Sequence, residues 1–178
     1  MAFTPIEPDP IPQPCITLVG MAGAGKSTLG EKLAERLSWG QLDTDRYMES
    51  YYAMPLQAIM DQYGLEKFLR IEEHLVSELN LTRTVISTGG SVIYSEKAVK
   101  QLKALGKIVL LDIDETTFIE RVGDGENRGL AIGPGKSMSD LYNERQPLYR
   151  AAADIVVRTD QHTPEECVDQ IIQAINLT

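Results

Sequence analysis

The run GMAGAGKST, Gly20 to Thr28, fits the pattern G-x-x-x-x-G-K-[ST]. Glycines at 20, 23 and 25 let the backbone turn tightly with its N–H groups facing inward. Where such a turn opens a helix, the amides and the helix dipole together seat a polyphosphate. Gly23, Ala24, Gly25, Lys26, Ser27 and Thr28 form that seat, with Lys26 reaching the β and γ phosphates and the Ser27 hydroxyl ligating Mg2+. A second chemical feature follows at Leu42-Asp43-Thr44-Asp45. Two carboxylates there arrive at the C-terminal end of a short strand, where open α/β sheets hold their ligands. The plainer role for either aspartate is a helix cap.

The elements that must position these residues alternate. An apolar run at Cys15 to Val19 precedes the glycine loop, and Leu29, Leu33 and Leu37 mark one face of the helix after it. From Tyr47 to Asn80 the pattern is helical, broken at Pro55 and Gly64 into about three helices. That is a long excursion between strands, and residues 46–80 are expected to form an insertion that holds an acceptor molecule. Val85 to Thr88 reads as a third strand, closed by Gly89-Gly90-Ser91. Ile108 to Asp112 is a fourth, its apolar run suited to a central parallel position, and Asp114 to Val122 is a short helix. Gly123 to Ser137 is glycine-rich and too irregular for an element, and beside a phosphate seat it reads as a mobile lid. A helix over Asp140 to Ala153, a fifth strand at Ile155 to Val157 and a last helix from Pro164 to Ile175 complete the chain. Strands alternating with helices predict an α/β fold whose parallel sheet is covered on both faces.

Bulk properties bound the function. At 178 residues with 43% apolar content the chain suits one globular domain, placed at residues 15–178. Residues 1–14, rich in proline, read as a flexible tail with no signal-peptide or spanning pattern. A net charge of -9 excludes a general nucleic-acid or anionic-membrane surface, so any anion site must be local. Cys15 and Cys167 fall at apolar positions without metal-like spacing and read as buried thiols of a cytoplasmic protein. A monomer is expected. His74 and His162 lack partners at ligand spacing.

The order of motifs resembles the shikimate kinases over nearly the whole chain after the tail. The matching features are GMAGAGKST, LDTD, the segment GLEKFLRIEE (64–73), STGG (87–90), Arg121 and Arg128 around the lid, and ERQPLY (144–149). The resemblance implies a P-loop kinase fold with a five-stranded parallel sheet in order 2-3-1-4-5. It also implies transfer of the γ-phosphoryl group of Mg-ATP to a hydroxyl of a small carboxylate-bearing metabolite. By that likeness Asp45 holds the acceptor hydroxyl and helps take its proton, while Asp43 joins Ser27 at Mg2+ through water. Lys26 and Arg128 flank the migrating group, Arg121 lies over the adenine, Arg145 grips the acceptor carboxylate, and Gly89 and Gly90 offer it amides.

The acceptor side departs from the family pattern. Leu69 stands where the family has an arginine after Phe68, and Arg70 comes one place later, about 100° round a helix. Met60 replaces an aromatic residue, Gly89-Gly90-Ser91 replaces a glycine triplet, and Arg128-Gly129-Leu130-Ala131 replaces Arg-Pro-Leu-Leu. Losing a charge-assisted bond to a carboxylate weakens binding by roughly ten- to a hundredfold. The departures therefore favour homoserine as acceptor, its ammonium received by Glu72, Glu49 or Asp45. Shikimate is the alternative, with Arg46 or Arg70 supplying the missing cation. A nucleoside monophosphate kinase or a non-catalytic ATP-binding module lies further off. Limited proteolysis is expected to cut within residues 123–137 and to slow when nucleotide and acceptor are both present. A cutting rate unmoved by saturating ligands would make the segment a linker.

Overall fold

A computed structural model describes residues 14–123 and 130–176 of the chain. The expected tail lies outside the described residues except for Pro14, as does the part of the expected lid that contains Arg128. Among the described residues five strands form one parallel sheet. These are β1 (Cys15–Val19), β2 (Gly40–Asp43), β3 (Thr84–Ser87), β4 (Gly106–Asp112) and β5 (Ile155–Arg158), in the order β2-β3-β1-β4-β5. Burial matches the central and edge places. β1 and β3 are buried along their whole length and β4 along its last five residues, while β2 and β5 keep exposed or half-exposed positions as edge strands do.

The helices are α1 (Lys26–Leu37), α2 (Thr44–Tyr52), α3 (Leu56–Ser77), α4 (Glu96–Leu105), α5 (Glu115–Val122), α6 (Met138–Ala152) and α7 (Pro164–Asn176), with a 3-10 turn at Gly90–Tyr94. Their starts follow local chemistry. Asp43, Ser95, Asp114 and Ser137 each accept a backbone N–H of the helix they open, and Ser137 and Asp140 cap each other's turn reciprocally. Pro55 opens α3. Gly64, at φ 77 and ψ 164, breaks its ladder and bends it, so the expected helical insertion exists as α2 and a kinked α3. Met48, Ile59, Phe68 and Leu75 give that insertion a core of its own, to which Ala131 belongs although it comes from within the expected lid. No helix among the described residues is long and apolar enough to cross a membrane.

Two elements escape the sequence pattern. α4 buries only Ala98 and Leu102 on an otherwise lysine-rich surface, too thin an apolar stripe to register. The turn after Gly89 is wound as a 3-10 helix, with Ser91, Val92 and Ile93 buried beneath it.

β1 and β4 start together, with Cys15 opposite Gly106. A Cβ on Gly106 would stand 2.0 Å from the carbonyl oxygen of Cys15, a backbone atom with nowhere to go. Gly106→Ala is thus expected to destabilise the fold by about 1–3 kcal/mol through forced separation of the central strands. Because this is the sheet end opposite the glycine loop, nucleotide affinity should stay unchanged. Urea titration and calorimetry read the two effects separately.

Candidate active site

The glycine loop joins the C-terminal end of β1 to α1, and neighbouring elements hold it through its carbonyls. Arg121 Nη1 donates to Gly23 O at 2.9 Å, Thr159 Oγ1 to Ala24 O at 2.9 Å, and Ser87 Oγ to Lys26 O at 2.9 Å. Lys26 turns back on the loop, its Nζ donating to the carbonyls of Gly20 at 2.9 Å and Met21 at 2.7 Å. Gly25, at φ 92, precedes α1 with no side chain capping the first turn. A loop anchored by its oxygens, at the uncapped start of a helix, fits an anion with several oxygens. Gly20 is required there as well. At φ 145, a Cβ on it would meet the Leu111 carbonyl oxygen at 2.5 Å.

Asp43 and Asp45 reach this loop from the end of β2, which lies beyond β3. Asp43 is both things the sequence allows. Its Oδ1 caps α2 by accepting the amides of Asp45 at 3.0 Å and Arg46 at 3.2 Å, and its Oδ2 accepts the Ser27 hydroxyl at 2.7 Å. No group of three or more His, Cys, Asp or Glu side chains suited to a metal occurs among the described residues. The Ser27–Asp43 contact is the arrangement that fits Mg2+ completed by phosphate oxygens and water. Asp45, the second residue of α2, faces Glu72 of α3 across Gly89. Its Oδ1 and the Glu72 Oε1 each lie 2.5 Å from the point a Gly89 Cβ would occupy, so only glycine fits between them. Thr44 Oγ1 accepts the Gly89 amide at 3.0 Å, and Ser91 Oγ donates to Glu72 Oε2 at 2.5 Å.

Arg145 enters from α6. It is 1% exposed, its Nη2 donating to Ala131 O at 2.6 Å and its Nη1 pressed against Gly90, where a Cβ would be 2.8 Å away. Lys26, Asp45, Gly89, Gly90, Ser91 and Arg145 line one pocket of about 90 Å3, with Phe68 at its side and Leu130 and Ala131 also on its wall. These groups act on one another. Burial pushes Glu72 up to about 7, against the Ser91 hydrogen bond and with the charge of Asp45 adding to the rise. Burial and then Asp43 push Asp45 up to about 6, Lys26 opposing. Burial lowers Lys26 to about 8, with Asp45 resisting and Arg145 assisting.

The structure thus brings Lys26, Asp45, Gly89, Gly90 and Arg145 together, with Gly23, Ala24, Gly25, Ser27, Thr28 and Asp43 on the adjoining loop and helix end. Arg121 lies along that loop. Arg46 and Arg70, expected as acceptor ligands, do not join them. Arg46 is 70% exposed and faces Glu31 of α1 at 3.8 Å, and Arg70 is 75% exposed and pairs with Glu66 at 2.6 Å at the rim of a hollow that also holds Leu69 and Ser91. Arg128 falls outside the described residues. Sequence reading gave Glu72 only as a partner for an ammonium group and passed over Tyr94, whose phenol oxygen accepts the Arg145 Nε–H at 3.0 Å.

Comparison with known proteins agrees with this geometry. The family described as shikimate kinase matches residues 22–176. A shikimate kinase of Chromohalobacter salexigens is 37% identical over 163 residues, covering 90% of this chain and 91% of its own. One from Thermodesulfovibrio yellowstonii is 33% identical over 161 residues, covering 89% and 92%. Among solved structures, shikimate kinase from Acinetobacter baumannii in complex with shikimate superposes with a TM-score of 0.83 at 31% identity, covering 92% of this chain and 93% of that one.

The raised carboxylates make stability depend on pH. Folded protein holds protons on Glu72 and Asp45 that unfolded chain has released, so between the ordinary carboxylate range and pH 7 stability falls as pH rises. Glu72→Gln is expected to remove most of its share of that decline, up to about 3 kcal/mol. Urea midpoints of wild type and variant at pH 5 and 7.5 read it, and parallel curves would show that Glu72 titrates normally.

Proposed function

Because the chain belongs to the shikimate kinase family, we propose that it phosphorylates a hydroxyl of shikimate with the γ-phosphoryl group of ATP. The observation that carries this reading is that one pocket holds Lys26, Asp45 and the buried Arg145 together. It offers a phosphate-binding cation, a base and a guanidinium for a carboxylate within the reach of one small acid. Relatives named shikimate kinase, aligned along most of the chain, support shikimate over homoserine, for which the comparisons give no support.

The reaction follows from placement. Arg145 takes the acceptor carboxylate through its Nη1 edge, and the Gly89 and Gly90 backbone borders the ring. The hydroxyl to be phosphorylated then lies at Asp45. As its oxygen bonds to the γ phosphorus, the bond from that phosphorus to the bridging oxygen breaks, ADP departs, and the hydroxyl proton passes to Asp45. A carboxylate near 6 is mostly ionised at neutral pH yet basic enough to accept it. Lys26 exchanges its loop carbonyls for phosphate oxygens and balances the charge on the moving group. Mg2+ at Ser27 and Asp43 would supply charge neutralisation across the phosphates.

A second reading has one observation behind it. Asp45 on the pocket wall and Glu72 beside it across Gly89 make an acidic pair able to receive an ammonium group, as homoserine would present. Purified protein with Mg-ATP, assayed for ADP release on shikimate and on homoserine in parallel, separates the two. Turnover of shikimate is expected, with Asp45→Asn lowering kcat by about 10^2- to 10^4-fold. Efficient turnover of homoserine alone would replace the first reading by the second.

A further inference from the structure

We propose that Tyr94 is a positioning residue for Arg145 and sets how tightly the acceptor carboxylate is held. The inference rests on the reading of Arg145 as the carboxylate ligand. It starts from a deficit: Leu69, Arg46 and Arg70 leave Arg145 as the guanidinium lining the pocket among the described residues. A lone fork binds well only if it waits in the right orientation, because a free arginine side chain must be ordered when the ligand arrives.

Tyr94 supplies that order in two ways. Its ring lies beneath the guanidinium, with Arg145 Cζ 5.0 Å from the centroid. Its oxygen accepts the Nε–H at 3.0 Å. The phenol proton is directed elsewhere, to Glu144 Oε1 at 2.7 Å, which leaves an oxygen lone pair for the arginine. Glu144 is itself held by Lys136. From the opposite side Ala131 O accepts from Nη2 at 2.6 Å. With Nε and Nη2 both engaged, the guanidinium plane is fixed and Nη1 is the edge turned to Gly90 and the pocket. Tyr94, Leu69 and Arg70 also line one hollow of about 220 Å3 that shares Ser91 with that pocket, and Arg70 is paired there with Glu66.

Removing only the phenol oxygen tests this, since Tyr94→Phe keeps the ring and its packing. The Michaelis constant for the acceptor is expected to rise about tenfold, the loss of one hydrogen bond to a charged group, with kcat and the constant for ATP within about twofold. Glu144→Gln should shift the acceptor constant in the same direction by a smaller factor. A general loss of structure would instead lower kcat, move both constants or drop the melting temperature. An independent readout is the side-chain Nε–H signal of Arg145 in 15N-labelled protein, identified by its loss in Arg145→Lys. It is expected to be protected from solvent exchange in wild type and to lose that protection in Tyr94→Phe. An acceptor constant unchanged in Tyr94→Phe overturns the proposal. If the wild-type protein turns over neither acid, the functional reading falls, and the Nε–H signal alone decides whether Tyr94 positions Arg145.

Discussion

Lys26 and Asp45 have to be kept charged and close in a site that burial would otherwise neutralise, and the rest of the structure serves that constraint. Burial drives Lys26 down to about 8 and Asp45 up to about 6, each restrained by the other. The ammonium donates to the carbonyls of Gly20 and Met21, which satisfy its protons without neutralising its charge. Those carbonyls face it because the loop is pinned from outside by Arg121, Thr159 and Ser87, residues contributed by different parts of the chain. The sheet order matters here for a physical reason. β1 lies between β3 and β4, so the loop after β1 is flanked by the ends of both, and β2 delivers Asp43 and Asp45 from one strand further out.

What could be read from the sequence was the chemistry that is local in the chain. The glycine loop with its strand and helix, the aspartates at the end of β2, and the alternation of apolar runs with helical faces are all contained within short windows. Strand boundaries came within a residue or two. The order of the strands did not come from pattern at all, because periodicity shows that a strand is buried and not which strand it lies beside. That order followed from likeness to a family. α4 was lost because its lysines outnumber its buried residues, and the 3-10 turn because nothing in Gly90 to Tyr94 distinguishes it from a loop.

The acceptor side was harder for the same reason. Arg145 and Tyr94 are 51 residues apart, and Ser91 and Glu72 are 19 apart, so no local window contains either pair. Arg46 and Arg70 show the opposite error. Arg46 follows Asp45 of the pocket and Arg70 follows Leu69 of the hollow next to it, but one step along a helix turns a side chain by about 100°, and both arginines are largely exposed and paired with Glu31 and Glu66 instead of reaching the pocket. Proximity in sequence was a good guide on the loop, where backbone atoms do the binding. On the helices, where side chains do it, direction outweighed proximity.

The departures from the family pattern at Leu69, Ser91 and Leu130-Ala131 are scattered in the chain but meet in space. Ser91 and Ala131 both line the pocket of Lys26, Asp45 and Arg145, and Leu69 lines the hollow that shares Ser91 with it. Ser91 gives Glu72 a hydroxyl to bond, which suits a buried carboxylate with no arginine at the neighbouring position 69. Ala131 packs with Phe68 and Met48 in the core of the insertion while its carbonyl holds Arg145. A residue within the expected lid is thereby fixed to α2 and α3 and to Arg145 at once. Any shift of Ala131 must therefore also disturb the guanidinium. The packing of α2 and α3 and the placement of Arg145 are one mechanical unit, joined through a single carbonyl oxygen.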